Sequence, residues 1–448
     1  MISKETAAMR EQEYAAYLRD LVQKASLADP ERKVFGADTH QYELNPVLSL
    51  EEVQAYQEKY HVVLPSEYVF LITQVGNGGA GPYYGIYPLD LKRSRHENMG
   101  VPFITSHLTQ QQWTGKLMPI SRENEDLDNC PDDLYEQIES EVLQGVYPVS
   151  TQGCSYETMV AAQGDEENRV FYVDMDWNYE NKPYDTKMTF LKWYEDFFLE
   201  IIAGNRMDSY GTRIIKTEQE LMDTFAQTED LEERRTILNS FVRFLTPKPE
   251  SIRFFQDLPE DTLADYKMAL LLLYDTENGL RLFSHLLQTN PEAALAHSML
   301  VPKERLPEYY ETMLHLLYTI ENGSEKKYRY VSLHDILLYR LRECPQLRAK
   351  DIIMFLEKNN LTEGDIKTAL DTLKYVPDRL EAVDTLAHFM RNGSYWVAHT
   401  ALQAVSRTPC RRLEPVYLEM WERYHADTYM ASNLKIAFQT NGIPLPKR

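Results

Sequence analysis

Residues 76–89 read GNGGAGPYYGIYPL, and the reading of this stretch decides the fold of the chain's first half. Gly76-Asn77-Gly78-Gly79-Ala80-Gly81 spells G-x-G-x-x-G. That fingerprint cradles a pyrophosphate only when a strand precedes it, a helix follows it and an acid sits ~20 residues on. Here a helical pattern precedes it, Pro82 and an alternating aromatic segment follow, and Asp90 stands at the wrong distance. The helix N-terminus that would hold the phosphates is missing. The glycines therefore read as a turn out of a helix, with no cofactor expected.

Working outward, residues 5–27 carry Met9, Tyr14, Tyr17, Leu18 and Leu21 on one helical face. A connector around Pro30 follows. Residues 49–60 open with Ser49 and Glu52 at capping-box spacing, and Pro65 starts a further helix over about 66–75. After the glycines the period shortens to two. Residues 83–89, 146–150, 158–162 and 169–175 read as strands, and 189–204 as an amphipathic helix ended by Gly204. Helices, then strands, then a helix is an α+β order rather than the strand–helix alternation of a nucleotide-binding sheet.

From about 215 strand signals vanish and helical segments follow one another. LLYRLRECPQL (337–347), ALDTLKYVPDRL (369–380) and ALQAVSRTPCRRL (401–413) align, with Pro345, Pro377 and Pro409 at spacings of 32, and NLKIAFQTNG (433–442) is a partial last unit. A helix pair cannot bury its own apolar face, so such units stack. The expected organisation is a helix and connector over 1–44, an α+β domain with a single sheet and flanking helices over 45–205, and an all-α, HEAT-like helical-repeat domain (an α-solenoid) over 215–448. A generic helical bundle is the alternative.

The formal net charge is −22 and is unevenly spread. Residues 1–212 hold 17 Lys+Arg and 35 Asp+Glu; residues 213–448 hold 30 and 34. Within 121–185, 17 acids face only Arg122, Arg169 and Lys182, a net of −14. Such a field repels nucleic acid and anionic lipid and draws basic partners. No stretch reaches the ~18 apolar residues of a membrane helix. MISKETAAMREQEY has no apolar core, so no secretory signal is expected and the chain reads as cytoplasmic. Cys130, Cys154, Cys344 and Cys410 lie far apart and read as buried free thiols in a reducing compartment.

Chemistry-bearing motifs are sparse. DMDWNYE (174–180) begins like a calcium loop, but its sixth position is Tyr179 and its twelfth Asp185, so the sharp turn and the bidentate ligand are both lost. Cys154 has no histidine nearby in sequence, and the eleven histidines form no metal-binding spacing. No catalytic, cofactor or metal residue is expected, and the chain reads as a non-enzyme.

Over 45–203 the sequence resembles the SUKH superfamily. The resemblance is carried by LSLEEVQAYQEKYHVVLPSEYVFLITQVGNGGAGPYYGIYPL, then GCSYETMVAAQG, RVFYVDMD and TFLKWYEDFF. It departs in the region between 104 and 145, read as strand with an acidic insertion, and in QGDEEN, which lacks an expected second glycine. The resemblance implies an α+β binding domain. In bacterial members it implies an immunity protein that neutralises polymorphic toxins, many of them nucleases. Glu123, Glu125, Asp126, Asp128, Asp132, Asp133, Asp165, Glu166 and Glu167 are then the expected surface for a basic toxin domain. The competing expectation is a scaffold, adaptor or regulatory protein that binds other proteins through the helical-repeat surface. Partner identity and oligomeric state stay open.

Overall fold

A computed structural model describes residues 4–92, 101–103, 105–121, 130–177, 181–320 and 332–446. The chain divides into two compact units, Met1–Pro247 and Lys248–Arg448.

In the first unit an antiparallel sheet of four strands runs in the order β1 (Val146–Gly153), β2 (Tyr156–Ala161), β3 (Arg169–Asp174) and β4 (Tyr184–Thr189). Both faces of the sheet are covered. Val170 and Tyr172 of β3 join a core with α1 (Lys4–Ala28), α3 (Leu50–Tyr60), α4 (Ser66–Phe70) and α7 (Phe190–Ile202). Phe171 and Val173 join a second core with Trp113 and Leu117 of α5 (Gln110–Leu117) and Ile138 and Val142 of α6 (Asp132–Val142). Successive side chains of a strand point to opposite faces, so a strand covered on both sides must be apolar throughout. A short α2 (Ala37–His40) lies between α1 and α3.

Several local readings hold. Ser49 and Glu52 make both capping-box bonds of α3. Pro65 caps α4, which continues as a π turn over Leu71–Val75. On α1, Leu18 and Leu21 are buried, while the Tyr14 and Tyr17 hydroxyls reach Glu195 of α7 at 3.0 and 3.1 Å.

Others need correction. The region between 104 and 145 holds α5 and α6, and none of its described residues is in a strand. Thr109 and Gln112 form a capping box there, a helix signal that the acidic composition obscured. Residues 83–89 form no ladder strand, because Tyr83 and Gly85 take φ of 57° and 89°. The segment instead runs beside β1, with Tyr87 N donating to Val149 O at 2.7 Å. β4 carries no strand signal in the sequence: its YDTKMT buries only Thr186, so the strand lacks an apolar signature.

The glycine loop spends its amides on the chain itself. Gly79 N donates to Ile86 O at 2.9 Å, Ile86 N returns to Gly79 O at 2.8 Å, and Ala80 N donates to Glu43 O at 2.7 Å. Gly79 has φ +99°, and a Cβ there would lie 2.3 Å from Glu43 O. Only glycine allows this approach.

The break between units falls well beyond 205–215. α8 (Glu218–Gln227) and α9 (Leu231–Ser240) belong with the first unit. The Arg243 guanidinium, just after α9, donates to Glu200 Oε1 of α7 at 2.6 Å, and both side chains are buried. Arg206 N donates to Arg243 O at 2.7 Å, and Ile214 N to Ser240 Oγ at 2.9 Å. These polar ties span long sequence distances and left no local signature. Tyr172, Tyr83 and Tyr210 reinforce them: the first two hydroxyls both donate to Tyr210 O, at 2.9 and 2.6 Å.

The second unit is helical throughout its described residues: α10 (Pro249–Asp257), α11 (Ala264–Tyr274), α12 (Thr276–Thr289), α13 (Pro291–Ala296), α14 (Tyr310–Thr319), α15 (Leu333–Leu341), α16 (Ala349–Leu356), α17 (Glu363–Thr372), α18 (Val383–Asn392), α19 (Tyr395–Val405), α20 (Glu414–Tyr424) and α21 (Thr428–Asn441), with short 3₁₀ turns between some of them. Pro345, Pro377 and Pro409 lie in the turns after α15, α17 and α19. The leading helix of each pair packs on the next: α15 on α17, α17 on α19, α19 on α21.

Two outcomes test this packing. Gly79→Ala is expected to destabilise the first unit by about 2–3 kcal/mol, through φ strain and displacement of the Glu43 strap. Arg243→Ala is expected to cost about 3 kcal/mol by leaving the Glu200 carboxylate buried without its cation, while the joint Glu200→Leu/Arg243→Met change recovers most of that loss. Urea unfolding of the variants measures both.

Candidate functional site

Among the described residues, the acids singled out from the sequence fall into two groups. Glu123, Glu125, Asp126 and Asp128 lie outside the described residues. Asp132 and Asp133 are exposed in the first turn of α6, where the helix N-terminus favours negative charge. Asp165, Glu166 and Glu167 lie in the turn between β2 and β3. The Trp177 indole donates to Tyr135 Oη at 3.0 Å, which ties the start of α6 to the far end of β3. A six-residue strand is roughly 20 Å long, so the two acidic groups sit at opposite ends of β3.

Two of the turn acids are engaged within the unit. Glu166 Oε2 is 3.8 Å from His107 Nε2. Glu167 Oε1 accepts from Ser66 Oγ at 2.7 Å, while Asn168 Oδ1 accepts from Glu67 N at 2.9 Å. Glu67 in turn accepts from Leu191 N at 2.7 Å. Asn168 thus caps α4, and Glu67 of α4 caps α7.

The remaining sequence candidates resolve similarly. Asp174 accepts from Ser155 Oγ at 2.7 Å, Asp176 N at 3.1 Å and Asn181 Nδ2 at 3.2 Å, and Asp185 pairs with Lys187 at 2.6 Å. Residues 178–180 lie outside the described set. The reading of all four cysteines as buried needs correction: Cys344 and Cys410 are buried, Cys130 is half-buried and Cys154 is exposed at the β1–β2 turn with φ 51°. Burial pushes the Cys344 thiol up to about 11.

In the second unit a polar cleft of about 500 Å³ lies among α10, α11 and α12. Within it Lys267 Nζ donates to Leu258 O at 2.9 Å and to Glu260 Oε1 at 2.8 Å.

The more distinctive surface is the outer face of α15, α17, α19 and α21. Its origin is a register of helix caps that the proline alignment did not use. Ser332, Thr362, Ser394 and Asp427 each cap one of these helices, accepting from the amide three residues on. Two of these helix starts are also tied to the next leading helix. Ser332 Oγ donates to Asp365 Oδ1 at 3.0 Å, and the Tyr395 hydroxyl donates to Asp427 Oδ1 at 2.7 Å. Capping therefore aligns the helix starts along one edge of the stack.

At the second position of α19 and of α21 this register presents Trp396 and Tyr429, which are 52% and 69% exposed. The Trp396 ring stands edge-on to Tyr395 and His399, at centroid distances of 4.9 and 5.8 Å. His399 Nε2 lies 3.0 Å from Asn433 Nδ2. Burial, with Lys374 nearby, lowers the His399 pKa against the opposing charge of Asp427. Further along, the Arg342 guanidinium lies 4.6 Å from the Tyr339 ring centre and 4.8 Å from that of Tyr375. Lys374 Nζ reaches Gln403 Oε1 at 3.4 Å. Trp396, Thr400, Gln403 and Arg407 follow helical spacing along the exposed side of α19 and just past its end. A groove of about 250 Å³, with Ile366, Phe389 and Val397 among its lining, opens between the starts of α17 and α19 and the end of α18.

Trp396 and Tyr429 had a signal in the sequence: SYWV (394–397) and DTYM (427–430) each place an aromatic two residues after a cap.

Asp365 offers a test of the cap register. Burial raises its pKa, but hydrogen bonds from His334 and Thr362 outweigh burial and hold the carboxyl well below the usual carboxylate range. A depressed folded-state pKa stabilises above the unfolded value near ~4, and that stability is lost as pH falls further. Denaturant midpoints of the second unit are expected to drop from pH 5 to pH 3 more steeply for the wild type than for Asp365→Asn. Compared with known proteins, the chain matches no family model, no curated protein and no solved structure.

Proposed function

We propose that the protein is a non-enzymatic, cytoplasmic protein-binding protein whose second unit is an α-solenoid, with the face of its leading helices as the docking surface. The observation that carries this reading is the exposure of Trp396 and Tyr429 on adjacent packed helices. Large aromatics grouped on a surface are the side chains that most often dominate protein interfaces. The neighbour-to-neighbour packing of α15, α17, α19 and α21 supports the solenoid assignment. On this reading the protein is an adaptor or regulator.

A second reading, an immunity protein that neutralises a basic, nuclease-type toxin, is favoured by the net charge of −14 over 121–185. It also draws on the resemblance of the first unit to the SUKH superfamily, which we keep as a proposal on the order of its helices, strands and glycine turn.

One experiment separates the two. Partners are captured from the source cell with the wild type, with Trp396→Ala/Tyr429→Ala, and with the nine acids of the first unit changed to Asn or Gln. The docking-face reading expects the aromatic variant to lose its partner and the acid variant to keep it. The opposite pattern establishes the acidic surface instead. Retention by both variants overturns both readings.

A further inference from the structure

His334 lies buried in the first turn of α15, between groups of opposite charge. Nδ1 is 3.3 Å from Asp365 Oδ1 of α17, and Nε2 is 3.5 Å from Nζ of Lys358, two residues past the end of α16. The same Nζ donates to Ile320 O at 2.9 Å and to Leu317 O at 3.2 Å, at the end of α14. Carbonyls at a helix end lack partners within the helix, and a cation there also meets the negative end of its dipole. Lys358 therefore ties the end of α14 to the starts of α15 and α17.

The tie depends on the protonation of one ring. An ammonium has donors only, so Lys358 can bond Nε2 only while that nitrogen keeps its lone pair. A proton on Nε2 would set two cations side by side, with the Asp365 carboxylate between α15 and α17 to serve both. Asp365 is fixed in place: it also accepts from Ser332 Oγ at 3.0 Å and Thr362 Oγ1 at 2.7 Å. Lys358 is the group free to leave. It is half-buried beyond a helix end, and burial lowers its pKa against the opposing charge of Asp365.

Among the described residues the ring's partners are Lys358, Asp365 and the Phe355 ring, edge-on at 5.1 Å. Asp335 of the same turn serves the α15 cap, its Oδ2 accepting from Ser332 N at 3.2 Å. The other helices packed on α15 bring Glu292 from α13 and Glu311 and His315 from α14. None of these pairs with the ring, and His315 is exposed.

We propose that Lys358, His334 and Asp365 form a pH-sensitive clasp on the end of α14: a proton taken from solvent by Nε2 of His334 displaces Lys358 from the ring and from the carbonyls of Leu317 and Ile320. The imidazolium keeps its bond to Asp365, and the last turn of α14 comes free of α15 and α17. The released form binds one proton more than the closed form, so falling pH favours release. Opening loosens the stack at this joint and leaves α18 in place.

Hydrogen exchange of the full-length protein tests the clasp. Peptides covering 310–320 and, as a reference, 383–392 are followed by mass spectrometry at pH 7.5 and 5.5, with the intrinsic rate corrected at each pH. This window spans the imidazole range and lies above that of ordinary carboxylates. Protection of 310–320 is expected to fall about ten-fold at pH 5.5, within the hundred-fold that one proton allows over two pH units, while 383–392 holds. His334→Gln, whose amide accepts from Lys358 and donates to Asp365 at either pH, is expected to keep its protection. Lys358→Met is expected to show low protection at both values, and His315→Gln to behave as the wild type.

A wild-type protection that does not change with pH overturns the proposal. A fall shared by 383–392 overturns it as general loosening in acid. An equal fall in His334→Gln, or a fall abolished by His315→Gln, overturns it by placing the proton elsewhere. Should His334→Gln unfold, seen as lost protection in 383–392, the comparison of wild type with Lys358→Met decides: equal falls in 310–320 overturn the clasp, and a fall confined to the wild type supports it.

Discussion

The burial of β3 on both faces is the constraint from which the first unit follows. Val170 and Tyr172 require α1, α4 and α7 on one side, while Phe171 and Val173 require α5 and α6 on the other. Once both faces are covered, the edges of the sheet need attention. The 82–87 segment runs beside β1, and β4 closes the other edge with a polar, bulged strand. The glycine loop belongs to this economy: its backbone passes so close to Glu43 and Ile86 that no side chain fits, and its amides are occupied by the chain itself.

Hydrogen-bonded helix caps play the corresponding part in the second unit. Each leading helix begins at a cap, and side chains at two of these starts reach the cap or capping box of the next helix. Apolar packing alone would allow neighbouring helices to slide; a part-buried polar pair at the helix start favours the register that satisfies it. The aromatics at the second helical position then fall along one edge, so the exposed surface is a consequence of the same device that orders the stack.

Charge divides the chain differently from fold. The first unit holds most of the negative charge, yet Asp132 and Asp133 are separated along the sheet from Asp165, Glu166 and Glu167, and Glu167 is engaged by the Ser66 hydroxyl. Acidity counted along a sequence says nothing of which carboxylates face solvent together. The second unit is nearly neutral, and Asp371 engages both Lys374 and Arg342 there.

Local chemistry was legible from the residues alone. Ser49 with Glu52, Pro65 before α4, the apolar runs of β1 to β3, the long apolar face of α7 and the prolines in register all act within a few residues, and each appears as read. The glycine stretch likewise leaves a helix and turns back on the chain, as its flanking pattern indicates. Tertiary structure alone decided the rest. Thr186 is the buried residue of β4, and the strand exists because β3 offers it an edge. α8 and α9 joined the first unit because Arg243 finds Glu200 across 43 positions. Trp396 and Tyr429 became a surface because their helices stack with caps aligned. Long-range pairing leaves no period in a sequence, so the face proposed for recognition emerges only when the helices are placed side by side.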